Sequence, residues 1–327
     1  FTIGILLLIA ITSLFGNQIS ASGITWYVKT VDSTGNVGYY TSLAFDSEGN
    51  PAISYFDYAQ ANLKYVHWDG TRWRGMANVT PDIVDNTIGV GTYSSLAFDS
   101  SDYPAISYYD TASYNLKYAH WNGTSWITET VDSGGDVGAY SSLAFDWTGK
   151  PGISYYDATN VHLKYARWDG TTWAGMANLT PDTVDGTNSV GTYSSLAFDS
   201  TGRPSISYCY YNNVTDASLK YARWDGTTWR GMANLTPDTV DNTAGVGRYT
   251  SLAFDALGYA GISYYDFENE SLKYAHWSGS SWDTEMVDTE GVGEFTSLAF
   301  DPAGYAGISY HDFANQDLKY AHWSGSI

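Results

Sequence analysis

From residue 24 onward, apolar and aromatic residues come in short runs separated by clusters of Gly, Asp, Asn, Ser and Pro. Runs of this length, rich in Tyr, Trp, Ile and Leu and bounded by turn residues, read as strands. In the first repeat, Tyr40 to Asp46 predicts strand one, Ala52 to Asp57 strand two, Leu63 to Trp68 strand three, and Trp73 onward strand four. Asp46 to Pro51 supplies one turn, and Trp68-Asp-Gly-Thr71 a hairpin in which Asp-Gly tolerates the positive φ of a tight connection. The marker Ser-Leu-Ala-Phe-Asp recurs six times, ending at Asp46, Asp99, Asp146, Asp199, Asp255 and Asp301 with spacings of 53, 47, 53, 56 and 46. A strand-rich period of about 50 residues points to a β-propeller rather than a helical solenoid.

The chain ends support a ring. The last repeat stops at Trp323 to Ile327, after its third strand, while Trp26-Tyr-Val-Lys-Thr-Val-Asp32 matches Trp126-Ile-Thr-Glu-Thr-Val-Asp132. Strand four of the last blade is therefore expected from the N-terminus, with Trp26, Val28 and Val31 as the closing residues, an arrangement that would remove exposed sheet edges. The expected fold is all-β: a six-bladed β-propeller with four-stranded blades over residues 24–327, closed by that N-terminal strand and preceded by a hydrophobic α-helix over residues 1–23.

That helix is the reading of Phe1 to Phe15, an uncharged apolar run ahead of Lys29, the first charged residue. One reading is a secretory signal cleaved near Ala21. The other follows from Phe1-Thr2-Ile3, which resembles the start of a mature type IV pilin, although Ile5 stands where bacterial pilins usually carry Glu. A helix over residues 1–22 would be roughly 33 Å long and apolar all round, so it must be buried in a membrane or against copies of itself. The resemblance implies an assembly helix displaying Phe1, Ile3, Ile5, Leu6, Leu7, Leu8, Ile9, Ile11, Leu14 and Phe15, resident in the membrane before assembly.

Six repeats of the SLAFD, ISYYD and LKYA type resemble a group of bacterial and archaeal extracellular propellers; membership implies a fold and hardly any activity. Composition narrows the remainder. With 35 acidic against 15 basic residues, a net charge of −20 repels phosphate backbones, so no nucleic-acid partner is expected. A lone cysteine, Cys209, permits no internal disulfide. A 43% hydrophobic content with 17% aromatics is enough to bury a large core.

Repeated polar residues read mainly as scaffold. Lys64, Lys117, Lys164, Lys273 and Lys319 each follow an Asp by seven residues (Asp57, Asp110, Asp157, Asp266, Asp312), which predicts ion pairs across the hairpin between strands two and three. If partly exposed, each contributes on the order of 0.2–1 kcal/mol. His67, His120, His276 and His322 precede the strand-three Trp in different blades, so they cannot share one metal, and no zinc spacing or EF-hand loop occurs. Neither a metal nor a cofactor is expected. Asp69-Gly-Thr-Arg-Trp73 is distantly similar to the Asp-box turn of sialidases, but no arginine cluster with a Tyr and Glu pair accompanies it, and no other catalytic constellation can be assembled.

Departures from the repeat carry more information. Blades one, three and four add a six-residue extension to strand four, Gly-Met-Ala-Asn-(Val/Leu)-Thr-Pro-Asp, whose Asn78, Asn178 and Asn234 form glycosylation sequons; others lie at Asn122, Asn213 and Asn269. In blade four an insertion places Cys209-Tyr210-Tyr211-Asn212 where the usual Tyr-Asp stands, so Tyr210, Tyr211 and Asn212 form a candidate ligand loop. The functional expectation is a non-enzymatic, exported cell-surface protein: a structural or adhesive subunit of a type IV pilus-like filament, partnered by copies of itself and by glycans or other surface ligands. The alternative is a secreted lectin-like propeller that binds carbohydrate, its signal peptide removed.

Overall fold

A computed structural model describes residues 18–323 apart from 22–23 and 28. Six antiparallel sheets follow one another along the chain, each running from an inner first strand outward. Blade two is the simplest, with strands Val90–Phe98, Pro104–Asp110, Asn115–Trp121 and Trp126–Asp132. In blades one, three and four the extension does not lengthen strand four but splits it, as in Trp173–Ala174 and Asp182–Asp185. The intervening loop folds onto the Asp182 carboxylate, which accepts bonds from Met176 N at 2.7 Å, Ala177 N at 3.0 Å and Asn178 Nδ2 at 2.7 Å. Gly175 is obligatory there, because a Cβ would lie 2.1 Å from Asp182 Oδ1.

The core lies between blades. One cluster joins Leu116 and Tyr118 of blade two to Leu143, Ile153, Tyr155 and Trp173 of blade three. The inner strands approach their neighbours so closely that a Cβ on Gly191 (φ 106°) would stand 2.8 Å from Leu163 Cα in the preceding blade. Two residues further on, each inner strand has a bulge with an aromatic residue in the left-handed region, among them Tyr93, Tyr193 and Tyr249 at φ 53°. Bulky residues rarely adopt that conformation, and it persists only where surrounding structure enforces it. Here it lays six rings into one arc. Tyr40, Tyr93, Tyr140, Tyr193, Tyr249 and Phe295 follow one another at centroid spacings of 4.8, 4.6, 4.7, 4.8 and 4.5 Å.

The repeated lysines pair differently from the hairpin expectation. In four blades the close partner is an Asp ending the preceding fourth strand: Asp85 for Lys117 and Asp241 for Lys273, each at 2.5 Å, with Asp132 and Asp288 serving Lys164 and Lys319, while Lys64 pairs with Asp32 in the loop before blade one. The hairpin Asp is secondary, 3.8 Å away in Asp57–Lys64 and 4.0 Å in Asp266–Lys273. The strand-two Tyr hydroxyl donates to the same carboxylate, as Tyr264 does to Asp241 at 2.7 Å. Each of those four Asp–Tyr–Lys sets thus ties one blade to the next.

The N-terminal expectations are corrected. Residues 1–17 lie outside the described residues, and so, therefore, do all ten assembly-helix residues. Inside the segment assigned to that helix, Gln18–Ala21 is a strand, and no helix occurs among the described residues. Among the described residues Trp26 does not pair with the last blade: Ile24–Tyr27 pairs with Gln18–Ala21, with Trp26 opposite Ile19. Val28 lies outside the described residues and Val31 is half-buried just before Asp32. Pairing with a strand two residues away costs far less chain entropy than reaching the far end of the ring. Blade six accordingly has three described strands, Val292–Phe300, Ala306–Asp312 and Asp317–His322. Leu43 of blade one is 58% exposed where Leu96, Leu143, Leu196 and Leu252 are 6% exposed, and Tyr320 of blade six is 66% exposed. Among the described residues the inter-blade junction seen five times along the chain is thus not repeated between blades six and one.

Candidate functional site

At four successive junctions a Trp from strand four of one blade fills a socket on the blade before it. Trp126, Trp173, Trp229 and Trp282 meet Tyr65, Tyr118, Tyr165 and Tyr221 edge-on at centroid distances of 5.1, 5.0, 5.1 and 5.0 Å. In three of them the indole N–H donates at 3.0 Å to a carboxylate paired in register with the socket Tyr: Trp126 to Asp82, Trp229 to Asp182 and Trp282 to Asp238. Blade two has Glu129 opposite Tyr118, and there the buried Trp173 nitrogen has no partner. The socket therefore accepts a flat ring with an apolar face and a polar edge.

Among the described residues no Trp fills the fifth socket. Tyr274 of blade five receives no Trp from the described strands of blade six and is part-exposed, while Tyr65, Tyr165 and Tyr221 are fully buried. A groove of about 840 Å³ remains, with Tyr274, His276 and Glu285 on the blade-five side and Tyr305, His322 and Trp323 on the blade-six side. This volume lies within the range of small-ligand sites. The His276 ring stacks on Tyr274 at 6.3 Å and 19°, and its Nε2 is 3.3 Å from Asp255 Oδ2. Across the groove, Tyr305 meets Trp323 edge-on at 5.9 Å, and His322 Nε2 is 3.3 Å from Asp301 Oδ2. Burial, reinforced by the charges of Asp255 and Glu285, pushes the Tyr274 hydroxyl well above its ordinary range. It remains a donor at neutral pH. Glu285, opposite Tyr274, occupies the register position from which Asp82, Asp182 and Asp238 accept an indole N–H and from which Glu129 does not.

The loop singled out in blade four stands at the opposite end of the strands. The insertion lengthens the hairpin to Pro204–Asn213 and Asp216–Trp224. Tyr210 Oη and Asn212 Nδ2 both donate to Asp216 Oδ2, at 3.2 and 3.0 Å, and the Tyr211 ring lies 4.8 Å from the guanidinium of Arg248. Cys209 is fully buried, and its thiol is pushed up to about 12 by burial, which leaves it a core residue rather than a nucleophile. Among the described residues no group of three His, Cys, Asp or Glu side chains is gathered to hold a metal ion.

The six sequons divide by the state of their amide nitrogen, the atom that would carry a glycan. In Asn78, Asn178, Asn234 and Asn269 it already donates to Asp82, Asp182, Asp238 and Asp266 at 2.7–2.9 Å. Asn122 and Asn213 instead use their oxygens to accept turn bonds from Thr124 and Thr215, which leaves Nδ2 unengaged on exposed residues.

Sequence reasoning located the blade-four loop but not the groove or Arg248. The groove leaves no motif, since it exists only in relation to the four filled sockets. Arg248 does leave one: the third position of Val-Gly-x-Tyr/Phe is Tyr, Thr, Ala, Thr, Arg and Glu in successive blades.

No family model and no curated protein matches this chain. Solved structures are similar in fold. The Aleuria aurantia lectin, in complex with Fucα1-6GlcNAc, is 13% identical with a TM-score of 0.51, covering 89% of this chain and 93% of its own. AofleA from Arthrobotrys oligospora is 15% identical with a TM-score of 0.54, over 89% and 85% of the two chains. An α-L-arabinofuranosidase from Fusarium graminearum, in complex with an iminosugar inhibitor, is 12% identical with a TM-score of 0.56, over 88% and 92%. A lectin and an enzyme share this architecture, so the likeness identifies the chain as a six-bladed β-propeller and leaves activity to be argued from the site.

Proposed function

We propose that this protein is a carbohydrate-binding propeller that holds a pyranose ring in the groove between blades five and six. A pyranose presents a C–H face that packs on aromatic rings and an edge of hydroxyls that needs acceptors. The observation that carries the reading is the socket at Tyr274: its four counterparts hold a flat ring with a polar edge, whereas among the described residues no indole covers this Tyr face, which lies beside Glu285 in the groove. Tyr305 and Trp323, 36% and 53% exposed, supply aromatic surface on the facing blade. The similarity to a sugar-bound lectin supports the reading at the level of architecture. Assembly into a pilus-like fibre is not carried forward, because it required a helix where Gln18–Ala21 is a strand.

Glycan-array screening followed by calorimetry on the best hit tests the proposal. Glu285→Gln and Tyr305→Ala are each expected to weaken binding at least about tenfold, the effect of losing one charge-assisted hydrogen bond or one stacking face. Glu129→Gln, next to a filled socket, is the control and is expected to bind as the parent does. Unchanged affinity in both groove variants would refute the site. Sugar released from the bound glycan would overturn the non-enzymatic part of the reading.

A further inference from the structure

Three departures from the repeat, far apart in sequence, meet at the end of the strands opposite the groove. Blade four has Cys209 where strand two of blades one, two, three and five carries an aromatic residue (Phe56, Tyr109, Tyr156, Tyr265). Its hairpin is lengthened, which raises Tyr211 beside the next blade. Blade five has Arg248 in a position that is nowhere else basic. The guanidinium of Arg248 lies between two rings, 4.8 Å from Tyr211 and 4.3 Å from Phe267, and its charge acts on Cys209, Tyr193, Tyr249 and Tyr265 around it.

Two aromatic rings at 4.8 and 4.3 Å from the guanidinium carbon leave its planar fork of N–H groups as its hydrogen-bonding capacity. Among the described residues those groups make no hydrogen bond, and Arg248 forms no salt bridge, whereas Arg72, Arg74, Arg167 and Arg230 each reach an Asp at 2.7–3.9 Å. None of the nearby acidic groups pairs with Arg248 among the described residues. Asp216 of the hairpin is taken up by Tyr210 and Asn212, and Glu294 of blade six faces His311 Nδ1 at 3.7 Å. A planar fork of free donors, fixed by stacking and half-buried, is the geometry that matches a carboxylate with two parallel bonds. Tyr211 and Phe267, 36% and 39% exposed, extend aromatic surface on either side of that fork. The net charge of −20 opposes an anion at long range, so recognition has to come from this short-range geometry rather than from steering.

We propose that Arg248, Tyr211 and Phe267 form a second binding site, sharing no residue with the groove, whose ligand is a sugar carrying a carboxylate, that is, a uronic acid residue of an acidic glycan. The carboxylate takes the in-plane donors of Arg248 and the sugar ring rests on the flanking aromatics.

Saturation-transfer NMR and calorimetry with sodium glucuronate test this, with glucose, acetate and sulfate as competitors. Glucuronate is expected to bind the parent and to be displaced poorly by all three. Arg248→Met, which keeps the stacked stem and removes the fork, is expected to weaken glucuronate at least tenfold with the thermal midpoint nearly unchanged, and Arg248→Lys, which keeps only the charge, is expected to fail to restore it. Glu285→Gln is expected to leave glucuronate binding intact, which separates this site from the groove. In the Tyr305→Ala variant, whose groove is disabled, equal binding of glucose would remove the role of the carboxylate, and equal displacement by acetate that of the sugar. Equal displacement by sulfate would reduce the site to a general anion site, and full binding in Arg248→Met would overturn the assignment of Arg248. A large fall in midpoint with intact binding would assign Arg248 to packing alone.

Discussion

The two central sockets provide an internal experiment on what the indole–carboxylate bond is worth. Trp173 and Trp229 occupy equivalent positions at neighbouring junctions, are 7% and 8% exposed, and meet their Tyr partners at 5.0 and 5.1 Å. They differ in one bond, since Trp229 Nε1 donates to Asp182 at 3.0 Å and Trp173 Nε1 is buried without an acceptor. Replacing each by Phe removes similar ring area, so the packing loss largely cancels in the comparison. A hydrogen bond to a charged group contributes about 1.5–3 kcal/mol, and a buried unsatisfied donor costs about 1–3 kcal/mol. Trp229→Phe therefore forfeits the bond, though Asp182 keeps its three loop donors and is not left unpaired. Trp173→Phe removes a penalty instead. Trp229→Phe is expected to be less stable than Trp173→Phe by at least about 2 kcal/mol. Urea unfolding followed by Trp fluorescence and by far-ultraviolet circular dichroism, with a check that slopes are unchanged, reads this as a difference in midpoint. Equal destabilisation, or a more damaging Trp173→Phe, would refute the reasoning and with it the acceptor role inferred for Glu285 in the fifth socket.

Two further outcomes follow from the inter-blade carboxylates and the sequons. Burial alone would raise Asp132, Asp185 and Asp241, but hydrogen bonds from Lys164, Tyr208 and Lys273 among others outweigh it and hold all three below the ordinary carboxylate range. A depressed folded-state value contributes stability that is fully present above the unfolded value of about 3.9 and is lost as pH falls through the folded one. The urea midpoint is thus expected to be nearly flat from neutrality to about pH 4 and to drop below it; Asp241→Asn is expected to lower the plateau and flatten the drop, and an acid-insensitive midpoint in the parent would contradict the pairing. In protein secreted from a glycosylating host, peptide mass spectrometry is expected to find glycan at Asn122 and Asn213, whose amide nitrogens are unengaged, and none at Asn78, Asn178, Asn234 or Asn269, where attachment would forfeit a bond to Asp. Occupancy at Asn178 in folded protein would show that its bond to Asp182 is dispensable.

The scaffold was legible because each blade repeats the same solutions. Six copies of Ser-Leu-Ala-Phe-Asp announce six inner strands, and the Asp-Gly dipeptide after Trp68 places an outer hairpin. Long-range partnerships were not legible at the same level. Lys273 and Asp266 are neighbours across a hairpin, yet the closest partner of Lys273 is Asp241 at the end of the preceding blade, since stacking blades brings strand ends together at distances no local pattern encodes. Closure by Trp26 rests on the last repeat stopping after its third strand and on similarity to Trp126, and neither decides which backbone a strand pairs with; among the described residues Ile24–Tyr27 pairs with the nearer Gln18–Ala21.

The same distinction explains where the candidate sites lie. A residue repeated in every blade is committed to holding blades together, and a socket built from such residues is normally consumed by its neighbour. Binding capacity arises only where the repeat is broken on one side of a junction: at Tyr274, which receives no indole from the described strands of blade six, and at Arg248, which entered a position otherwise basic in no blade. Both sites are therefore single rather than sixfold. A binding stoichiometry of one per groove ligand and one per uronate is the consequence, and six equivalent sites for either ligand would mean that recognition resides in the repeat itself rather than in its exceptions.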